Sequence, residues 1–310
     1  MMKTPFVSIV MCTYNGSNYI DEQIQSILLQ QYAHFELIIV DDASTDDTYK
    51  KLLEWSRQYP AIRLYQNENN LGYNANFARA LELAKGEFIS IADQDDIWMA
   101  DKTSLLAEAL QQPGTMLSHG MSIRLENGRL DYKRRKLQHH FSGSDARLLI
   151  LFNPIMGHDM MFRRELLKFI LPIPDRMSYD WWIAMNAVTR GNIASVKKIL
   201  VHHRIHGNNS FFIKSTEVRS REMDIDEVWQ TFLTIPALDG KTRKFLETSL
   251  GLIQRQTRAG TGFSLPLFFH LFKNRKKFFA SKRRLLPVFS YIKNSIKYAR
   301  MNFRGKGISF

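Results

Sequence analysis

Three carboxylates in four positions, Asp93-Gln94-Asp95-Asp96, follow the apolar run Phe88-Ile89-Ser90-Ile91-Ala92 and precede Ile97-Trp98. Gly86 bounds the run, which reads as a buried strand. Like charges this close repel, and burying them unpaired costs on the order of several kcal/mol. A divalent cation relieves both problems. Mg²⁺ or Mn²⁺ takes hard oxygen ligands, and Mg²⁺ commonly uses one or two carboxylates together with substrate phosphates. An Asp-x-Asp at the C-terminal end of a strand therefore suits a metal–diphosphate site. The competing role is a solvated acidic turn, with Asp96 or Asp101 capping the next helix.

Three later stretches carry further chemistry. Ser178-Tyr179-Asp180-Trp181-Trp182 opens an amphipathic helix that continues through Ile183, Ala184, Ala187 and Val188. A carboxylate beside aromatic surface has its pKa raised towards the range useful for taking a proton from a hydroxyl. Asp180 equally suits a helix cap or first-turn position, worth roughly 0.5–2 kcal/mol. His202-His203-Arg204-Ile205-His206-Gly207-Asn208-Asn209-Ser210 closes a strand at 196–201 with imidazoles and a guanidinium, groups that ligate divalent metals and grip phosphate. In the turn Asn153 to Phe162, His158 and Asp159 could reach acceptor hydroxyls or satisfy loop backbone.

The elements that must position these groups alternate. Residues 6–11 form a β-branched strand ending in Cys12-Thr13-Tyr14-Asn15-Gly16, and residues 18–31 have helical periodicity. Phe35 to Val40 is an unbroken apolar strand ending in Asp41-Asp42; Ser44 and Thr45 are candidate caps for a helix over 46–58. A weaker strand at 63–65 and a helix over 74–85 lead to the acidic turn. Beyond Lys102 come a helix of about ten residues, an edge-type strand at 115–125, and a polar loop over 126–147. Strands apolar on both faces and separated by helices predict an α/β fold, a Rossmann-like, mostly parallel sheet flanked by helices. Ligands in such sheets sit beyond the C-terminal strand ends, where Tyr14, Asp42 and Asp93–Asp95 all fall. Neither G-x-G-x-x-G nor G-x-x-x-x-G-K-[ST] occurs, so the phosphates need another holder, and a metal is the natural one.

Taken together and in order, Ser8–Asn15, Val40–Thr48, Asn70-Leu71-Gly72-Tyr73-Asn74-Ala75-Asn76 and Asp93–Trp98 resemble the inverting glycosyltransferase family 2, with its GT-A fold. The resemblance covers most of residues 5–110. It implies that a nucleotide sugar is bound by Thr13, Tyr14, Asp42, Asn74 and Asp93. Tyr14 would stack near the base, Asp42 would accept from a pyrimidine N3–H, and Asp93 would lie near the ribose. Mg²⁺ or Mn²⁺ would contact Asp95, and His206 of the Arg-x-His-Gly-Asn-Asn string would meet the metal–diphosphate. The resemblance also implies an acceptor pocket at Gly157, His158 and Trp181 and a catalytic base at Asp180, where Tyr179 replaces the family's usual preceding acid. The Asp-Gln-Asp-Asp-Ile-Trp and Asn-Leu-Gly-Tyr forms are most similar to bacterial rhamnosyltransferases of polysaccharide assembly. They imply transfer of L-rhamnose from dTDP-rhamnose to a hydroxyl of a lipid-linked polysaccharide, with other UDP- or dTDP-sugars as the alternative.

Charge divides the chain. Of 310 residues, the last 60 hold 14 of the 43 Lys and Arg and none of the 30 Asp and Glu; the first 250 hold 29 basic against 30 acidic. A general nucleic-acid binder would not segregate charge in this way, and no nucleic-acid motif is present. The expected organisation is a catalytic domain over 1–212, divided into a nucleotide-sugar half (1–98) and an acceptor half (99–212). A helical, basic extension over 213–310 follows. Phe and Leu interleaved with Lys and Arg in that extension suit an anionic membrane surface, or else a packing helix pair with a solvated basic face. A single cysteine, Cys12, agrees with a reducing compartment, and no run approaches the roughly 18 apolar residues of a membrane span. The expected location is cytoplasmic, peripheral on the inner face of the cell membrane. Two rivals remain at this level: a nucleotidyltransferase, which would show a Gly- and Lys-bearing loop after its first strand, and a non-catalytic sugar- or lipid-binding subunit.

Overall fold

The structure is a computed structural model that describes residues 4–132, 140–207, 224–260, 262–279 and 287–300. Parts of the stretches read above lie outside the described residues: 133–139 of the polar loop, Asn208 to Ser210, and 213–223, 261, 280–286 and 301–310 of the helical, basic extension.

Strands β1 (Val7–Thr13), β2 (Phe35–Asp41), β3 (Ile62–Gln66) and β4 (Phe88–Ala92) alternate with helices α1 (Ile20–Leu28), α2 (Thr48–Gln58) and α3 (Tyr73–Glu82). They pair in parallel in the order β3-β2-β1-β4. The chain continues through β5 (Ile97–Trp98), α4 (Lys102–Leu110), β6 (Thr115–Glu126), β7 (Arg129–Leu130), β8 (Met160–Arg163), α5 (Leu167–Ile170), α6 (Tyr179–Val188) and β9 (Asn192–Ile205). These extend one sheet as β4-β8-β6-β9-β5, with β7 hairpinned onto β6. The fold is mixed α/β with a mostly parallel sheet, as the alternation implied.

Alternate residues of each strand supply opposite faces. Val7, Ile9 and Met11 join Leu37, Ile39 and Trp98 in one core cluster, together with Ile20, Leu52 and Leu106 of the flanking helices. Val10, Ile38, Val40, Ile89 and Ile91 form the other, with Phe77 of α3 and Ile183 of α6. Both faces are therefore dry, which is why the central strands read as unbroken apolar runs.

Two expectations change here. The strand at 115–125 is not an edge: β6 lies between β8 and β9. Its misleading polar residues are buried and satisfied internally, Ser118 by the Leu106 carbonyl at 2.8 Å and His119 by the Phe141 carbonyl at 2.8 Å. Ser44 and Thr45 do not cap α2. Asp47 stands at its N-cap and makes no side-chain capping bond; Asp46 accepts from the Thr48 N–H at 2.9 Å, while Ser44 is turned towards Asp41 and Asn15.

The C-terminal extension comprises α7 (Ile225–Leu233), α8 (Gly240–Ala259), α9 (Leu265–Lys273), α10 (Arg275–Phe278) and α11 (Pro287–Ala299). Its Trp229, Phe232, Leu246, Leu267 and Phe278 belong to the same core cluster as Val10 and Ile89. The Trp229 indole donates to the Ile150 carbonyl, and the Trp181 indole of α6 donates to the adjacent Leu149 carbonyl, each at 2.6 Å. One buried segment thus joins the extension to the helix that carries Asp180. Among the described residues no helix is long and apolar enough to cross a membrane.

Gly86 shows how closely this sheet is packed. A Cβ there would meet backbone atoms of Ser8, Phe6 and Phe88. The Gly86 N–H already donates to Ser8 Oγ at 2.8 Å. Since only backbone could give way, Gly86→Ala is expected to destabilise by about 1–3 kcal/mol, measured as a lower denaturant midpoint at unchanged slope.

Candidate active site

Register sets the rim. Thr13 pairs with Asp41 and Asp41 with Gln66, while Met11 pairs with Ala92. The residues after β1, β2, β3 and β4 therefore emerge at one level, and Tyr14, Asp42, Asn67 and Asp93 share that edge. Side-chain amides hold the turns together. Gln94 Oε1 accepts from the Tyr14 N–H at 2.9 Å and Gln94 Nε2 donates to the Tyr14 carbonyl at 3.1 Å, a two-point clamp between the first and fourth turns. Gly16 lies against the Gln94 amide, where a Cβ would collide with it. Asn15 adopts φ 48° and accepts from the Thr45 N–H at 2.8 Å; asparagine enters that region more readily than bulkier residues. The Tyr14 ring remains half exposed at the rim.

Asp42 is buried, and its carboxylate accepts from Asn67 Nδ2 at 2.5 Å, the Leu71 N–H at 2.8 Å and the Gly72 N–H at 2.9 Å. It folds the Asn70-Leu71-Gly72 loop onto the rim. Thr13 donates to Asp41 at 2.9 Å, and Asn74 Nδ2 donates to the Met177 carbonyl at 2.7 Å, tying α3 to the turn before α6.

The acidic turn is completed from far along the chain. β9 runs antiparallel to β5, with Ile97 opposite His202 and Trp98 opposite Val201. This pairing brings His203, Arg204 and His206 onto the carboxylates. Asp96, fully buried, accepts from His203 Nδ1 at 3.1 Å and the Arg204 N–H at 3.0 Å, while His158 Nδ1 lies 3.5 Å from its other oxygen. Asp96 is thus no helix cap, and Asp101, at the N-cap of α4, makes no side-chain capping bond. Burial works against Asp96's charge, but His158, His203 and the Arg204 N–H outweigh it and hold the carboxyl below its ordinary range. His158 bonds Asp93 at 3.0 Å. Burial disfavours its cation, yet Asp159, Asp96 and Asp93 carry it up to about 10. Its backbone carbonyl accepts from Lys102 Nζ at 2.6 Å, and that buried amine, its pKa pushed well down by burial, sits 3.1 Å over the Trp98 ring.

His206 Nε2 lies 2.8 Å from Asp95 Oδ2. Burial, then Asp93 and Asp96, raise Asp95 to about 6, with His206 opposing. The pair fits a hard divalent ion: it joins carboxylate and imidazole donors, and cis ligands at about 2.1 Å in an octahedron stand roughly 3 Å apart. A second donor group, Asp93, Asp96, His158 and His203, offers atoms within 4.8 Å of one another. There the His158 and His203 rings stack at 4.7 Å, only 16° from parallel, so their Nδ1 atoms do not converge in both ring planes on one point.

Asp180 is raised by burial, offset by hydrogen bonds from Ser178 and the Trp181 N–H, and raised again by the nearby charge of Asp93. Of the residues expected at the acceptor, His158 is only 2% exposed and is engaged behind the carboxylates rather than at a substrate surface. Trp181 is half-buried with its N–H turned to Leu149. Gly157 is covered by the Tyr179 hydroxyl, which a Cβ there would strike. Sequence reasoning missed Gln94, Asn67 and Lys102. Gln94 could have been suspected from its place inside the acidic turn; nothing in the sequence marks Lys102, which follows Asp101, as buried.

The glycosyl transferase family 2 model matches residues 8–171, more than half of the chain. An Escherichia coli protein named UDP-Glc:alpha-D-GlcNAc-diphosphoundecaprenol beta-1,3-glucosyltransferase WfgD is 39% identical over 121 residues, 39% of this chain and 45% of that one. Among solved structures, S. aureus TarS 1-349 in complex with UDP-GlcNAc aligns at TM-score 0.63 and 17% identity, covering 95% of this chain and 89% of its own. The mannosyltransferase PcManGT from Pyrobaculum calidifontis, in complex with GDP-Man and Mn²⁺, aligns at TM-score 0.59 and 19% identity, covering 96% and 86%.

Asp96→Ala removes the anion shared by two imidazoles and a backbone N–H. It is expected to destabilise by about 3–5 kcal/mol in equilibrium unfolding, the usual cost of leaving a buried charge unpaired. A loss within error would show that the network adapts without it.

Proposed function

Because the chain belongs to glycosyl transferase family 2, we propose that it moves a sugar from a nucleoside-diphosphate sugar to an acceptor hydroxyl in one inverting displacement. The observation that carries the reading is the Asn74–Met177 hydrogen bond at 2.7 Å, which ties the turn before the Asp180 helix to α3 beside the rim; burial raises the Asp180 carboxyl there. Asp180 takes the acceptor hydroxyl's proton as that oxygen attacks the anomeric carbon. The bond to the diphosphate breaks on the opposite side, and its electron pair leaves with the nucleoside diphosphate. Mg²⁺ or Mn²⁺ on Asp95 and His206 would neutralise the charge developing on that leaving group.

Asp42 suits recognition of a pyrimidine base. A carboxylate has about four acceptor positions; the three N–H bonds it receives leave one on Oδ2 for a ring N–H, and Tyr14 offers an aromatic face. The first donor candidate is dTDP-L-rhamnose, on the resemblance of the Asp-Gln-Asp-Asp-Ile-Trp and Asn-Leu-Gly-Tyr forms. A UDP-hexose is the second reading, favoured by the name of the E. coli relative, whose diphosphoundecaprenol acceptor also supports a lipid-linked polysaccharide acceptor here. Incubating the enzyme with membrane extract, Mn²⁺ and a panel of radiolabelled nucleotide sugars decides between the donors; transfer from none of them argues for a binding subunit.

Asp95→Ala deletes a rim ligand without core volume, so melting temperature should hold while Mn²⁺ binding and transfer are lost. Transfer undiminished by EDTA would place the chemistry outside a metal mechanism. For the base, Asp180→Asn should keep donor binding and lower turnover by roughly 10²-fold or more. Activity requires ionised Asp180 and so falls as pH drops through its raised pKa. Ser178→Ala removes a hydrogen bond that favours the ionised form, and should move the acid limb of the kcat/KM profile to higher pH. An acid limb that stays in place would leave Asp180 as a structural cap.

A further inference from the structure

The C-terminal helices have two chemically different faces. Leu267, Leu271, Phe278, Phe279 and Tyr298 turn inward and are buried. Outward, α9 exposes Leu265, Phe269 and Lys273 at intervals of four, and α11 exposes Phe289, Lys293 and Lys297 at intervals of four, with exposed Arg300 just past its end. Phe289, at 70%, is the most exposed large apolar side chain among the described residues. The Ser264 N–H donates to the Ala299 carbonyl at 3.0 Å, so the start of α9 meets the end of α11 in an antiparallel hairpin. The apolar end of each stripe therefore lies beside the basic end of the other, as the Arg300 guanidinium 5.9 Å over the Phe263 ring illustrates. Residues 251–310 contribute no carboxylate to this face.

We propose that this outer face is a docking surface for an anionic lipid bilayer. Leu265, Phe269 and Phe289 enter the boundary between headgroups and acyl chains, and Lys273, Lys293, Lys297 and Arg300 meet lipid phosphates. Helices of nine and 13 residues are about 14 and 20 Å long at 1.5 Å per residue. Both are short of the roughly 30 Å hydrocarbon core, so the hairpin lies in the interfacial plane. Aromatic rings among lysines also suit single-stranded RNA; exposed Leu265 and Val288 have no base to stack on and favour the bilayer. Lys277 is excluded from the surface because it pairs with Asp145. The inner face packs into the enzyme core, so the hairpin cannot be cut away as an independent anchor.

The test uses the full-length protein and sedimentable vesicles of phosphatidylcholine, with and without phosphatidylglycerol. Cosedimentation is expected with the anionic vesicles only, and release in roughly 1 M salt, where the Debye length is about 3 Å. Lys273→Gln/Lys293→Gln/Lys297→Gln should weaken binding about a hundredfold, and Leu265→Ser/Phe269→Ser/Phe289→Ser should weaken it at least tenfold. A control with the same charge change elsewhere, Lys50→Gln/Lys197→Gln/Lys244→Gln, should bind like the parent, and all three variants should keep its melting temperature because the substituted side chains are exposed. Equal binding to neutral vesicles, unchanged binding by either hairpin variant, or equal loss in the control would overturn the proposal. So would a preference for single-stranded RNA, or a dimer that the apolar variant dissolves with no vesicle binding.

Discussion

The Asp96 carboxylate joins the two halves of the site. It has no contact with solvent, and its charge is matched by His158 from the turn before β8 and by His203 and the Arg204 N–H from β9. A buried anion without such partners would cost several kcal/mol or be protonated. With them, it fixes the end of β9 more than a hundred residues away in sequence, and that placement delivers His206 to Asp95. Arg204 adds a second tie through its Nε to the Asp95 carbonyl at 2.9 Å. The rim pair is thus the outward consequence of an inward electrostatic constraint.

The rest of the rim follows the same pattern of inward fixation and outward display. Asp42 is held by the loop it organises, Tyr14 by the backbone clamp of Gln94, and Asn74 by the turn before the Asp180 helix. Each of these bonds removes a degree of freedom from a side chain on the rim. Positioning of this kind lowers the ordering cost of binding and reaction. Ala43, with φ 57°, sits in the same turn between the anchored Asp42 and Ser44, whose N–H donates to Asp41 at 3.0 Å, an unfavourable backbone conformation held in place by its neighbours.

The C-terminal extension enters the same scheme. Trp181 and Trp229 donate to adjacent carbonyls at Leu149 and Ile150, so the Asp180 helix and the extension share one buried strip of chain. A separate catalytic domain with a detachable tail does not describe this arrangement, because Trp229, Phe232 and Phe278 complete the apolar face that Ile89 and Phe77 begin. Among the described residues, the outer stripe of α9 and α11 stays exposed.

Local pattern alone determined the alternating strands and helices, the parallel core from Val7 to Ala92, and the polar strand ends that form the rim. Those features depend on period, apolarity and turn chemistry, which are written residue by residue. The acidic turn and Asp180 stand out in the sequence because carboxylates beside apolar runs are conspicuous. Tertiary structure decided which carboxylate faces out and which faces in. Asp93, Asp95 and Asp96 look alike in sequence, yet only the antiparallel pairing of β5 with β9 makes Asp96 a fully enclosed anchor, sets Asp95 against His206 and leaves Asp93 the most exposed of the three. His158 looked like an acceptor contact and His203 like a strand end, and pairing across the sheet made both its partners. β6 read as an edge because Ser118 and His119 are polar, and only the fold supplies the carbonyls that let them be buried. Long-range pairing sets burial, and burial decides what a charged group can do.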